Sequence, residues 1–84
     1  MKKVTMYSGS PCSHCEFAKA LLKSKNISFE EIDVWKSKDK AKEMLQRTNG
    51  ARTIPQIFIG DHYIGGNDEL QESNRSGELD KLLA

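Results

Sequence analysis

The 84-residue sequence has only two cysteines, two prolines and one tryptophan, and its charge is almost balanced. Thirteen basic residues against twelve acidic ones give a formal net charge of +1 at pH 7. Because no basic block occurs, a nucleic-acid partner is not indicated. No apolar run approaches the roughly 18 residues needed to cross a bilayer, so no membrane partner is expected. Two cysteines are also too few for a secreted scaffold held together by disulfides.

These absences predict one small domain over residues 1–84, with a core that is thin but adequate for its size. The first residues lead directly into a strand-like alternation without a signal-peptide pattern, so we expect a soluble, cytoplasmic protein. In a reducing compartment, a single C-x-x-C motif indicates redox or metal chemistry.

The two cysteines, Cys12 and Cys15, stand at a predicted strand-to-helix junction. Two intervening residues suit a small disulfide ring at a helix N-terminus. There the unpaired amides and the helix dipole stabilise a thiolate. Cys12 is therefore the candidate nucleophile and Cys15 the resolving thiol. Ser10 as a helix cap and Pro11 at the first helical position predict where this helix begins.

Hydrophobic periodicity and turn residues predict an α/β fold in the order β-α-β-α-β-β-α. The first crossover makes the first two strands parallel, and the turn at Gly60 makes the last two antiparallel, so the sheet is mixed and flanked by helices. Core positions are assigned to Tyr7, Phe17, Phe29 and Phe58, and a core edge to Trp35. The predicted strands are 3–7, 27–34, 54–59 and 63–65, and the helical patterns are 13–25, 37–47, 67–74 and 77–83.

Pro55 lies inside the most strand-like run of the chain, where proline is disfavoured. We predict a cis bond between Ile54 and Pro55, which exposes the backbone of Ile54 to an extended partner. The alternative is an ordinary trans proline that opens an edge strand.

Three motifs in this order resemble those of dithiol glutaredoxins, which have the thioredoxin fold: C-S-H-C at 12–15, T-I-P at 53–55 and G-G-N-D at 65–68. The resemblance covers nearly the whole chain. It implies a thioredoxin-like fold and a glutathione-dependent oxidoreductase that reduces glutathionylated proteins and protein disulfides. It also implies that glutathione, as co-substrate, binds at Ser13, His14, Thr53, Ile54, Pro55, Gly66, Asn67 and Asp68.

The sequence departs from the glutaredoxin pattern at two places. Glutaredoxins commonly have a lysine three residues before the nucleophile, and here that position is Gly9. Arg47 or Arg52 could supply a substitute charge, although both fit a solvated surface position better. The usual proline and tyrosine between the cysteines are Ser13 and His14.

Two other functions stay open at this point. One is a redoxin that takes electrons from thioredoxin reductase and serves ribonucleotide reductase. The other is a glutathione-ligated 2Fe-2S cluster held by Cys12, because loss of the proline at position 13 is associated with such clusters in some glutaredoxins. The chain is expected to be monomeric unless a cluster bridges two copies, and a zinc site is not expected.

Overall fold

The computed structural model describes residues 2–84, which form a four-stranded mixed sheet flanked by helices. The strands are β1 Val4–Ser8, β2 Glu30–Asp33, β3 Gln56–Ile59 and β4 His62–Gly65, and the helices are α1 Ser13–Ser24, α2 Lys38–Arg47, α3 Asn67–Ser76 and α4 Glu78–Leu83. The spatial order is β2-β1-β3-β4. β1 pairs parallel with β2 and antiparallel with β3, which pairs antiparallel with β4. The predicted fold class is confirmed.

The alternation of side chains along the central strands divides the core into two clusters. Val4 and Met6 of β1 belong to one cluster, which also takes residues from α1, α3 and α4. The other cluster consists of Tyr7, Val34, Met44 and Phe58, so it lies between the sheet and α2. This second, smaller cluster borders the loops that carry the candidate site.

Helix α1 begins at Ser13, as the helical pattern of 13–25 predicts, but its cap differs from the prediction and its buried stripe is narrower. The prediction that Ser10 caps the helix and Pro11 opens it is wrong, because Cys12 is the N-cap and its sulfur accepts the capping hydrogen bond. Phe17 is also not a core residue, since 61% of its surface is exposed. The buried stripe of α1 runs at spacings of three and four through Cys15, Ala18 and Leu22.

Strand β2 is shorter than the predicted run of 27–34. The amide of Ile27 donates to the carbonyl of Leu22 at 2.9 Å, and Asn26 has a φ of +58°. Residues 26 and 27 therefore belong to the turn that ends α1, in the manner of a left-handed helix cap.

Candidate active site

The two cysteines lie at the junction between β1 and α1. Cys12 and Cys15 form a disulfide with a Cα–Cα distance of 5.3 Å, and the amide of Cys15 donates to the Cys12 sulfur at 3.1 Å. Cys15 is completely buried, whereas Cys12 is half-buried. An incoming thiol or disulfide therefore reaches the sulfur of Cys12 and not that of Cys15.

The segment before β3 faces the disulfide. The Ile54–Pro55 peptide bond is cis, as predicted, and a second cis bond that the sequence analysis did not predict joins Ser10 to Pro11. The carbonyl oxygen of Ile54 lies 4.0 Å from the Cys12 sulfur. The backbone of Ile54 is thus the nearest surface for an extended ligand attached to Cys12.

Hydrogen bonds from Gln56 hold this segment in place. Its side-chain amide donates to the carbonyl oxygen of Thr53 at 2.9 Å and to the Thr53 hydroxyl at 3.1 Å. The Tyr63 hydroxyl donates to the other end of the same Gln56 side chain. Burial raises the pKa of Tyr63, so this donor stays protonated well above neutral pH.

Two glycines bring the start of α3 against the same segment. Gly65 has a φ of +118°, which favours glycine, and a Cβ at Gly66 would lie 3.3 Å from the Pro55 carbonyl oxygen. The Glu69 carboxylate accepts the amide of Gly66 at 2.7 Å. Sequence reasoning missed this role of Glu69, although an acidic residue three positions after a helix cap is a recognised capping signal.

These elements enclose a cleft of about 280 Å³, which we call the polar cleft. It contains seven of the eight predicted binding residues, whereas Ser13 is exposed on α1 and is not part of its lining. The lining consists of His14, Thr53, Ile54, Pro55, Gly66, Asn67, Asp68 and Glu69.

The polar cleft combines a helix start with one uncommitted carboxylate. The backbone amides of Asn67 and Asp68 are in the first turn of α3, where no preceding helical carbonyl can accept them. The carboxylate of Glu69 is already bonded to Gly66, whereas Asp68 is exposed and forms no ion pair within residues 2–84. A ligand that carries both a carboxylate and an ammonium group matches this pair of features.

Ile54 also lines a second cleft of about 170 Å³, which we call the apolar cleft. Its wall next to the active site is Trp35, which is 56% exposed and therefore does not close the core edge as predicted. The lining consists of Val34, Trp35, Ala41, Met44, Leu45, Arg52 and Ile54.

The two arginines considered as substitute cations differ in their surroundings. The guanidinium of Arg47 lies 3.9 Å from the centroid of the Phe58 ring and donates to the Tyr7 hydroxyl at 2.9 Å. Tyr7 in turn donates to Glu43, which lowers the pKa of that carboxyl, while burial raises the pKa of Tyr7. Both arginines are exposed, but Arg47 is bonded within this network and lines neither cleft, whereas Arg52 lines the apolar cleft.

No helix within residues 2–84 is both long enough and apolar enough to cross a membrane. Within the same residues, no group of three or more His, Cys, Asp or Glu side chains is arranged to hold a metal ion.

A disulfide at a helix N-terminus, opposite a cis proline on a mixed sheet, defines a thiol-disulfide oxidoreductase of the thioredoxin fold. The glutaredoxin family model matches residues 4–64. Glutaredoxin 3 of Escherichia coli K12 is 43% identical over 83 residues, covering 99% of each chain. The solution structure of glutaredoxin from Brucella melitensis superposes with a TM-score of 0.85 at 41% identity, covering 99% of this chain and 89% of that one.

The chain therefore belongs to the glutaredoxin family, as its motifs predicted. A further similar structure is that of a buckwheat glutaredoxin-glutathione complex. It is 29% identical with a TM-score of 0.87, covering 98% of this chain and 76% of the buckwheat chain.

Proposed function

We propose that this protein is a glutathione-dependent oxidoreductase that reduces glutathionylated proteins and protein disulfides. The observation that carries the proposal is the position of the accessible Cys12 sulfur, 4.0 Å from the Ile54 carbonyl and beside the polar cleft. We further propose that residues 1–84 act as one glutaredoxin domain. It would be a monomer and would work in the cytoplasm, where the glutathione pool keeps thiols reduced.

In this proposal the γ-glutamyl end of glutathione binds at the start of α3. The first-turn amides of Asn67 and Asp68 bind its α-carboxylate, and the Asp68 side chain binds its α-ammonium group. The backbone of Ile54 pairs with the cysteinyl residue, which brings the glutathione sulfur to Cys12. The buckwheat glutaredoxin, which is 29% identical, was crystallised with glutathione, and this supports glutathione as the ligand.

The remaining predicted contacts form the sides of the same cleft. His14 and Thr53 flank the tripeptide, while Pro55 and Gly66 face each other across a gap that any side chain at Gly66 would narrow. Ser13 lies beside Cys12, where its hydroxyl is available to the sulfur or to the incoming glutathione.

The monothiol route needs only Cys12. Its thiolate attacks the glutathione sulfur of a protein-glutathione mixed disulfide, so a Cys12-glutathione disulfide forms and the protein leaves as a thiolate. A second glutathione thiolate then attacks the glutathione sulfur of that disulfide, which releases oxidised glutathione and restores the Cys12 thiolate. Each turnover therefore consumes one free glutathione, and the glutathione that left the substrate forms the other half of the oxidised glutathione.

The dithiol route uses both cysteines. Cys12 attacks a protein disulfide, and Cys15 then attacks the Cys12 sulfur of the mixed disulfide and releases the second protein thiolate. The amide of Cys15 at 3.1 Å and the N-terminus of α1 stabilise the Cys12 thiolate in either route. The Cys12–Cys15 disulfide is the oxidised product of this sequence, and two glutathiones reduce it.

The test is NADPH-coupled turnover of a glutathionylated peptide with glutathione and glutathione reductase. We expect the wild type and Cys15→Ser to turn over and Cys12→Ser to lose at least about 10³-fold, because the nucleophile is absent. If none of the three proteins turns over, glutathione dependence is wrong. Turnover with thioredoxin reductase and NADPH in place of glutathione would then favour the alternative of a redoxin for ribonucleotide reductase.

A second candidate function rests on Ser13. Without a proline ring next to Cys12, the sulfur of Cys12 together with glutathione would suit a 2Fe-2S cluster that bridges two copies of the chain. Such a cluster would supply electron transfer or iron-sulfur delivery. Visible absorbance and a doubled mass after anaerobic purification would establish it, and a colourless monomer that binds no iron on reconstitution would exclude it.

A further inference from the structure

One side of the polar cleft, Thr53 and Ile54, has little support of its own, and we call these two residues the 53–54 segment. Residues 48–55 run from the end of α2 to the start of β3 without forming a helix or a strand. Thr53 is exposed, and within residues 2–84 its only hydrogen bonds are the two from the Gln56 side-chain amide. The position of the 53–54 segment therefore depends on the Gln56 side chain.

Tyr63 on β4 fixes that side chain from its other end. Gln56 is only 3% exposed, so water cannot replace a lost protein partner at its amide. The nitrogen of the amide is used by Thr53, and its oxygen accepts the hydrogen bond from the Tyr63 hydroxyl. An amide that is bonded at both its nitrogen and its oxygen has one orientation. The Tyr63 hydroxyl thus holds the Gln56 nitrogen towards the 53–54 segment.

The Tyr63 ring is itself held against the sheet. It stacks on the ring of Phe58 with 5.0 Å between the centroids, and Phe58 is a buried residue of β3. Phe58 pairs with Tyr63 and Ile57 pairs with Gly65, so Ile64 is an extra residue on β4. An extra residue of this kind changes the direction of the side chains around it. The hydroxyl of Tyr63 is therefore presented by a ring that the core supports.

Strand β4 also leads to the opposite side of the polar cleft. After the extra residue, Gly65 and Gly66 bring the first turn of α3 against Pro55, whose carbonyl oxygen would lie 3.3 Å from a Cβ at Gly66. Neither Tyr63 nor Gln56 lines the polar cleft. Any effect that these two residues have on a ligand there must pass through the 53–54 segment.

We propose that Tyr63, acting through Gln56, is a positioning residue for glutathione binding. The pair holds the backbone of Ile54 where the cysteinyl residue of glutathione meets it, so that binding does not have to order the 53–54 segment. The inference rests on the proposed function, which places glutathione in the polar cleft. It concerns affinity for glutathione and not the chemistry at Cys12.

The test is Tyr63→Phe, which keeps the ring on Phe58 and removes only the hydroxyl. The Kd for S-methylglutathione, which has no reactive thiol, is measured by amide NMR on the reduced protein. We expect this Kd to rise about fivefold, which corresponds to the loss of one hydrogen bond of ordinary strength. In the coupled reaction, kcat/KM for glutathione should fall about fivefold, while kcat stays within about twofold of the wild-type value.

Tyr7→Phe is the matched control. The Tyr7 hydroxyl also has two protein partners, Glu43 and Arg47, but it does not contact Gln56 and lies outside the polar cleft. Urea unfolding should show a loss of stability in both variants. Only Tyr63→Phe should raise the Kd, because a general loss of stability does not displace the 53–54 segment.

A double variant tests whether Tyr63 acts through Gln56. Gln56→Met removes the amide and keeps a side chain of similar length, so it should raise the Kd at least as much as Tyr63→Phe does. Adding Tyr63→Phe to Gln56→Met should raise the Kd no further, since the hydroxyl then has no partner through which to act. Additive increases would overturn the proposed route.

A last readout needs no glutathione. In the free protein, Tyr63→Phe should shift the amide signals of Thr53 and Ile54 and leave those of the first turn of α1 in place. An unchanged Kd in Tyr63→Phe, when the wild type binds, would overturn the inference and keep the proposed function. If the wild type neither binds S-methylglutathione nor turns over, the proposed function fails. Unshifted amides at Thr53 and Ile54 would then also overturn the positioning role, and shifted ones would support it.

Discussion

The two clefts that meet at Ile54 are built in different ways. The polar cleft consists of backbone amides at the start of α3 and exposed side chains such as Asp68 and His14. The apolar cleft is lined by Val34 and Met44, which belong to the core cluster under α2. The polar cleft therefore lies mainly on the surface of the fold, whereas the apolar cleft opens into the core.

Val34 and Met44 of the apolar cleft also fill the core, so changes there affect stability. Exposed residues of the polar cleft such as Asp68 do not have this second role. Asp68 is exposed, so we expect a change there to affect ligand binding and to leave the packing intact. Residues at the base of the apolar cleft are thus constrained by the need to fill the core, whereas exposed residues of the polar cleft such as Asp68 are not.

The largest effect is expected at the base of the apolar cleft. Met44 is only 4% exposed, so its truncation leaves a cavity in the core. Met44→Ala should therefore lower the free energy of unfolding by about 2–5 kcal/mol. Lys42→Ala, an exposed position on the same helix, should change it by less than about 0.5 kcal/mol. Denaturant unfolding of both variants measures the contrast, and equal losses would show that the cleft is not part of the core.

At the polar cleft, a substitution should change the KM for glutathione and not the stability. Asp68→Asn should raise KM for glutathione about tenfold, because a charge-assisted hydrogen bond to the α-ammonium group is lost, and leave the unfolding free energy nearly unchanged. Glu72→Gln, one turn further along α3 and outside the polar cleft, is the control and should keep the wild-type KM. The steady-state kinetics of the coupled reaction measure both. An unchanged KM in Asp68→Asn would remove Asp68 from the binding site.

A smaller loss of stability is expected where the Trp35 ring packs against the backbone of Gly9. Gly9→Ala should displace the Trp35 ring, because its Cβ would come within 2.4 Å of it, and should cost about 1 kcal/mol of unfolding free energy. The tryptophan emission should shift to longer wavelength as the ring becomes more exposed. Ser10→Ala, at the exposed neighbouring residue, should change neither quantity. An unshifted emission in Gly9→Ala would show that the ring does not rest on Gly9.

The smallest effect lies away from both clefts, at Glu31 on β2. Hydrogen bonds from Ser8 and Lys19 lower the pKa of the Glu31 carboxyl below its ordinary 4.5. Its contribution to stability is therefore present above that value and is lost as the pH falls through the lowered pKa.

Glu31→Gln should flatten the fall of stability between about pH 5 and pH 3, measured by urea unfolding at each pH. Glu78→Gln, at an exposed carboxyl on α4, should keep the wild-type slope. A wild-type slope in Glu31→Gln would mean that other carboxylates carry the acid sensitivity.

Much of the fold followed from local patterns because those patterns have local causes. Strand alternation, asparagines at helix ends and the turn at Gly60 each act within a few residues, and they gave the element order and strand directions. Phe17 was assigned to the core because it shares spacings of three and four with Ala20 and Leu21. The buried stripe is instead the neighbouring one, through Cys15, Ala18 and Leu22, which has the same spacings. The cap of α1 was misjudged because the sulfur of Cys12, and not the Ser10 hydroxyl, accepts the capping hydrogen bond.

Several contacts could not be predicted from the sequence because they join segments that are far apart in it. Gly9 and Trp35 are 26 positions apart, and nothing near either residue indicates that the ring covers the glycine. Arg47 is exposed as predicted, but nothing near it in the sequence indicates that its guanidinium packs on the ring of Phe58. The positions of the predicted site residues could be anticipated from motif spacing, but their binding roles stay predictions.

The most direct test of the account is to locate glutathione on the protein. Cys15→Ser, oxidised with glutathione to the Cys12 mixed disulfide, can be compared with its reduced form by amide NMR. The account predicts that the largest shifts fall on Ile54, Asn67 and Asp68, with contacts from the γ-glutamyl residue to the first turn of α3. Unshifted amides at Asn67 and Asp68, with no contact between the tripeptide and the first turn of α3, would contradict it.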